Sequence, residues 1–185
     1  MIADDQGPPF KLQGGLHPNL AAYLTRLYQC QGGAFNTLGD VVGVHAVGYN
    51  NAPGDWMDRR TVTTNGFKGD GSFYFRRMWQ LHDIMVANGD NRGVWLTEYY
   101  WGSAAGSVPA GYEWATHLDE ATVADFFVAS IEMMKAEPWV WGFVIWNLNF
   151  RTFVDYHNDE TGVFGILNED WSPRAIYSRL RDMPK

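Results

Sequence analysis

Glu98 closes a short apolar run, Gly93-Val94-Trp95-Leu96-Thr97, and three large aromatics, Tyr99, Tyr100 and Trp101, follow it directly. A carboxylate at the exit of such a run costs free energy unless it is paired, hydrogen-bonded or put to use. Two other runs of similar length end comparably: "DVVGVHAV" (residues 40–47) presents His45, and "VWGFVIWNL" (residues 140–148) presents Trp146. Side chains alternate along a strand, so each run can be followed in steps of two. The rows read Val41, Gly43, His45; then Val94, Leu96, Glu98; then Gly142, Val144, Trp146. Each passes through small or aliphatic residues and ends in a functional type. Taken singly, the histidine and the tryptophan read as core residues. A carboxylate, an imidazole and an indole delivered to one end by three strands instead fit an active site built at the carboxyl ends of the strands.

The elements that position these residues follow from periodicity. Near-continuous apolar runs of strand length fit parallel strands under a helical cover. Pro18 stands at a first helical position, with Leu20, Tyr23, Leu24 and Leu27 on one face until Gly32-Gly33 ends the run. Ser72 is placed to cap a second helix, with Tyr74, Met78, Leu81 and Met85 inward. Asp119 is placed to cap a third, carrying Val123, Phe126, Phe127, Ile131 and Met134, and Ser172-Pro173 signals a fourth with Ile176, Leu180 and Met183 inward. Helices and strands alternate throughout, the sequence form of βαβ units, and residues 1–185 read as a single domain. Two long connections, 48–71 and 101–118, follow the carboxyl ends of the first two strands, where α/β folds build their sites.

Composition narrows the partner. The chain has 185 residues, 46% of them hydrophobic, and a formal charge of −7 without any basic run, which points away from nucleic acid. Cys30 is the single cysteine, so an internal disulfide framework and a cysteine-rich zinc site are both excluded. The opening residues carry two early aspartates and no apolar core, so they do not read as a signal peptide, and no stretch reaches membrane-spanning length. Compartment is left open. Nine Trp, nine Tyr and eleven Phe make 16% of the chain, and several of them fall in predicted loops, where flat rings suit flat ligand faces.

With these residues in view, a family resemblance emerges. The pair Thr97-Glu98 in "VWLTEYYWG", the later "WGFVIWNLNF" and the tail "GVFGILNEDWSPRAIYSRL" resemble the last strands and helix of retaining glycoside hydrolases of the clan A type, built on (β/α)8 barrels and including cellulase-like and xylosidase-like enzymes. The stretch from Gly14 to Asn50 is similar to the helix and strand that come before these in the same enzymes. The resemblance implies an α/β fold that is a partial barrel, about the last four βα units, with parallel strands and outer helices. It implies Glu98 as the nucleophile and Trp146 as the floor of a sugar subsite, with His45 beside the nucleophile. Relatives carry Tyr two residues after that histidine; Val47 stands there, and Tyr49 comes two residues later. No cofactor and no metal are implied.

Retaining cleavage needs two carboxyl groups about 5 Å apart, one to attack the anomeric carbon and one to protonate the leaving oxygen. Glu98 supplies one. The acid/base of the resembled enzymes is a glutamate after Asn on the fourth strand, and Asn168-Glu169 falls in the wrong part of the fold for it. A whole barrel takes about 250 residues, so the chain reads as a carboxyl-terminal half, truncated and lacking that acid. Half a barrel exposes two strand edges and an inner face, which invites assembly with a complementing half-barrel or with further copies. A second reading is a non-catalytic carbohydrate-binding remnant in which Trp101, Trp146, Trp56 and Tyr49 stack on sugar faces, and Asn147 or Asn149 reaches hydroxyls. A third, a metal-dependent hydrolase using His45, Glu98 and His157 or Asp155, lacks the paired-histidine spacing such sites show.

Overall fold

The computed structural model describes residues 20–56, 71–105, 108, 110–152 and 160–184. Pro18, Asp155 and His157 lie outside them. Four helices, α1 (Leu20–Gln29), α2 (Arg77–Ala87), α3 (Glu120–Lys135) and α4 (Ala175–Asp182), alternate with three strands, β1 (Val41–His45), β2 (Gly93–Tyr99) and β3 (Val140–Ile145). The strands form one parallel sheet in the order β1-β2-β3. The class is therefore parallel α/β, as the alternation predicts.

Residues from all four helices share one hydrophobic core with the same strand side chains. Leu24 and Tyr28 of α1, Met78, Leu81 and Met85 of α2, Val123, Phe127 and Ile131 of α3 and Ile176 of α4 meet Val42, Val44, Val94, Leu96 and Tyr99. The helices thus cover one face of the sheet, and the opposite face carries exposed side chains: Val41 on β1, Trp95 at 44% exposure on β2, Trp141 at 57% and Val144 on β3. One-sided winding is what a barrel wall shows and what a doubly wound sheet does not. Two glycines fit that open face. A Cβ on Gly93 would stand 2.0 Å from the Trp141 ring, and one on Gly142 would stand 3.2 Å from that of Trp95, so each indole lies over its neighbour's bare backbone.

Several element boundaries differ from the pattern. The second helix starts at Arg77, after a 3-10 turn at Gly71–Phe73, and its N-cap residue Arg76 makes no side-chain cap bond. Tyr23 is off the buried face of α1, and Tyr28 is buried in its place. The fourth helix begins at Ala175 behind Arg174. Asp119 does cap α3, accepting the Thr122 amide at 2.7 Å. Below the sheet, Asp90 ties α1 to the entry of β2. Its carboxylate accepts the Tyr28 hydroxyl at 2.6 Å and the Arg92 guanidinium at 2.5–3.1 Å.

Candidate active site

The row assigned to β2 needs correction. Val94 and Leu96 are buried against the helices, whereas Trp95 and Thr97 face the open side. Period-two alternation alone would then bury Glu98. A β-bulge prevents this: Val44 pairs with Leu96 but His45 pairs with Glu98, so Thr97 is the extra residue opposite a single step of β1. Thr97 Oγ1 takes up the loose carbonyl, donating to Val44 O at 3.3 Å, and its methyl sits over Gly43. Beyond the bulge Tyr99 returns to the buried face, and Glu98 is left half-buried at the strand's mouth.

His45 and Glu98 are brought together. His45 Nδ1 lies 3.3 Å from Glu98 Oε2, an ion pair when the imidazole carries its second proton, with side chains 56% and 34% exposed. Around the carboxylate stands a wall of rings. Tyr49, at φ +52° on the loop after β1, packs edge-on against Phe73, Tyr100 and Trp114 at 5.0, 5.8 and 5.2 Å. Burial pushes the Tyr49 phenol above its ordinary range, the Tyr100 hydroxyl and the Arg77 charge oppose this, and the charge of Glu98 adds to it. Burial raises Tyr100 as well, with Tyr49 and Glu98 reinforcing the effect. Both phenols therefore stay protonated near Glu98 at neutral pH.

Trp146 reaches the same end of the sheet. Its amide donates to Tyr99 O at 3.0 Å, and its half-buried ring packs against Phe150 and the small core of Trp114, Val163 and Phe164. The Trp146-Asn147 peptide bond is cis. Trp56, with part of its surface exposed, meets Tyr74 edge-on.

Two other expectations fail. Trp101 is wholly buried, its indole N–H donating to Asn51 O at 2.7 Å and its ring lying on Gly48, so it cannot stack on a ligand. Asn147 is buried too. Its amide nitrogen donates to Thr161 O at 2.8 Å and its oxygen accepts the Phe150 amide at 3.0 Å, which makes it a bracket for its own loop. Asn149 similarly donates to Asn168 O. Residues not singled out from the pattern complete the site: Tyr100, Trp114 and Phe164, and the buried Arg174 discussed below. The run of aromatics after Glu98 was the available signal for Tyr100, two residues on; the other three come from distant loops and left none. Among the described residues no group of three or more His, Cys, Asp or Glu side chains is arranged to hold a metal ion.

This arrangement can do one kind of chemistry well: a half-buried carboxylate beside an imidazole, at the carboxyl end of parallel strands, with the phenols of Tyr49 and Tyr100 near it. No protein-family model matches the chain, and none of the curated proteins matches it either. Solved structures do. A family 39 glycoside hydrolase from the gut symbiont Bacteroides cellulosilyticus WH2 superposes on 85% of this chain with a TM-score of 0.55 at 17% identity. A beta-glucuronidase from Faecalibacterium prausnitzii covers 80% with a TM-score of 0.48 at 20% identity. A GH2 beta-galacturonidase from Eisenbergiella tayi covers 81% at 0.49 and 13%. The likeness is one of fold and rests on the first of these. The chain spans 28%, 22% and 24% of the three solved chains, so it is similar to a part of such glycoside hydrolases.

Proposed function

We propose that the chain is a carboxyl-terminal part of a (β/α)8 barrel of the clan A type and serves retaining hydrolysis of O-glycosyl bonds in an oligosaccharide or polysaccharide. The observation that carries this is the 3.3 Å approach of His45 to Glu98 at the strand exits, on the face left clear of helices. One-sided helices and the family 39 fold likeness support the barrel.

In this reading a Glu98 carboxylate oxygen attacks the anomeric carbon as the bond to the leaving oxygen breaks. The leaving oxygen takes a proton from a second carboxyl group. Water then attacks the glycosyl ester, giving its proton to that second group and freeing Glu98. His45 orients the nucleophile, Trp146 floors the sugar ring, and the phenols of Tyr49 and Tyr100 offer hydrogen bonds near it. The second carboxyl group comes from the complementing half of the barrel, which the chain itself lacks. No cofactor takes part.

A panel of 2,4-dinitrophenyl glycosides tests the reading, because that leaving group departs without protonation and Glu98 alone suffices for the first step. Release of dinitrophenolate by the chain, lost in Glu98→Gln, upholds it. Oligosaccharide binding by calorimetry without release would favour the carbohydrate-binding remnant, and release unchanged in Glu98→Gln would remove Glu98 from the chemistry.

A further inference from the structure

We infer that Arg174, remote in sequence from Glu98 and Trp146, is a positioning residue that fixes the loop after β2 against the loop after β3. Its geometry stands alone; its chemical consequence rests on the reading of Glu98 as nucleophile. The side chain is entirely buried just ahead of α4. Its guanidinium converges on carbonyls from both loops: one terminal nitrogen donates to Ser103 O at 3.0 Å and to Ser103 Oγ at 2.9 Å. The other donates to Gly165 O and, at 3.4 Å, to Val163 O. Nε meets Glu120 Oε1 at 2.6 Å, which supplies the compensating charge. A guanidinium presents five N–H groups in a fixed plane, so one side chain donates to acceptors of both loops at once.

Each end of this bracket leads to the site in a few bonds. Ser103 lies five residues beyond Glu98, and its amide donates to Val163 O at 3.4 Å. On the other side, the Asn147 amide donates to Phe164 O and the Ile166 amide to Asn147 O, so the segment gripped by Arg174 also grips the residue after Trp146. Phe164 is wedged between them. Its ring stands 4.2 Å from Tyr100 and 5.9 Å from Trp114, and a Cβ on Gly102 would meet it at 3.0 Å. The separation of nucleophile and platform is thus set through Phe164, and Phe164 is held by Arg174.

The test compares Arg174→Lys and Arg174→Met with the unaltered chain by two measurements. Hydrogen exchange followed by mass spectrometry reads peptides spanning residues 100–104 and 162–167, and covalent labelling by 2,4-dinitrophenyl 2-deoxy-2-fluoroglycosides reads the attack by Glu98. Faster exchange in both loops together, with labelling slowed at least tenfold in folded Met variant and partly restored in Lys, is the expected result. Labelling at the unaltered rate despite faster exchange reduces Arg174 to a stabilising residue; exchange raised in one loop alone overturns the bracket. Should the unaltered chain not be labelled, the proposed function fails and the exchange pattern decides Arg174 by itself. Should Arg174→Met not fold, Glu120→Gln, at a half-exposed partner, is expected to raise exchange in both loops to a smaller extent, and failure to do so overturns the inference.

Discussion

His45 Nδ1 stands 3.3 Å from Glu98 Oε2 because one extra residue, Thr97, turns the end of β2 out of register with its own alternation. The contact follows from the bulge: without it Glu98 would point into the helix-covered core, where an unpaired carboxylate is expensive. Replacing His45 by Ala removes the close approach of the imidazole to Glu98, and the release of dinitrophenolate is expected to slow about tenfold, equivalent to about 1.4 kcal/mol. Because His45 is largely exposed, the melting temperature should hardly move. A fall in stability with no change in rate would make the pair structural.

Trp101 belongs to the core. Trp101→Phe removes the indole N–H that donates to Asn51 O and is expected to lower the unfolding free energy by about 1–2 kcal/mol in urea titrations; Trp101→Ala, which opens a large cavity, by about 3–5 kcal/mol. Gly48→Ala sets a methyl 2.0 Å from the same indole and should cost about 1–3 kcal/mol by overpacking. Oligosaccharide affinity per folded molecule stays the same in all three. A selective loss of affinity would restore Trp101 to the binding surface.

Asp90 makes stability depend on acid. Burial raises its carboxyl, but the Arg92 guanidinium and the Tyr28 hydroxyl outweigh burial and hold it below the ordinary carboxylate range. A carboxyl depressed in the folded state contributes stability that is complete above its unfolded value, about pH 4, and lost as pH falls through the lower folded value. Asp90→Asn is therefore expected to cost about 3 kcal/mol at neutral pH, since it strands Arg92, and the difference from the unaltered chain should shrink below about pH 4. Urea midpoints between pH 3 and 7 measure this, and a difference that widens in acid would contradict it.

The open face of the sheet should be detectable. Trp95 and Trp141 are exposed on one side of a parallel sheet whose outer strands pair on one side only among the described residues, and a patch of that kind binds apolar dyes and promotes association. Serine at both positions is expected to cut dye fluorescence and shift sedimentation toward the monomer with far-ultraviolet circular dichroism unchanged. Undiminished dye binding would place the apolar surface elsewhere.

The strands and helices were legible because their apolar runs and periods are long, and the Asp119 cap because its signal is local. The β2 row was not, since nothing in "VWLTEYY" distinguishes regular alternation from a bulge whose effect depends on pairing with β1. The same locality misplaced Trp101: a tryptophan followed by Gly and Ser reads as a loop ring, yet β-bridge pairing with Tyr49 carries it back under Gly48. Arg174 stayed hidden because an arginine before a helix is ordinarily solvated, and the carbonyls that bury it come from residues 103, 163 and 165. His45, Glu98 and Trp146 were each visible as strand ends, whereas the distances among them are a property of the sheet.

The most direct measurement is to treat the chain with 2,4-dinitrophenyl 2-deoxy-2-fluoroglycosides, digest it, and locate the trapped sugar by mass spectrometry. The fluorine slows hydrolysis of the ester, so a nucleophile is caught in the act. One glycosyl group on the peptide containing Glu98, absent from Glu98→Gln, is the expected result. A glycosyl group on another residue, or none from any sugar tried while the same sugars bind, would contradict Glu98 as the nucleophile.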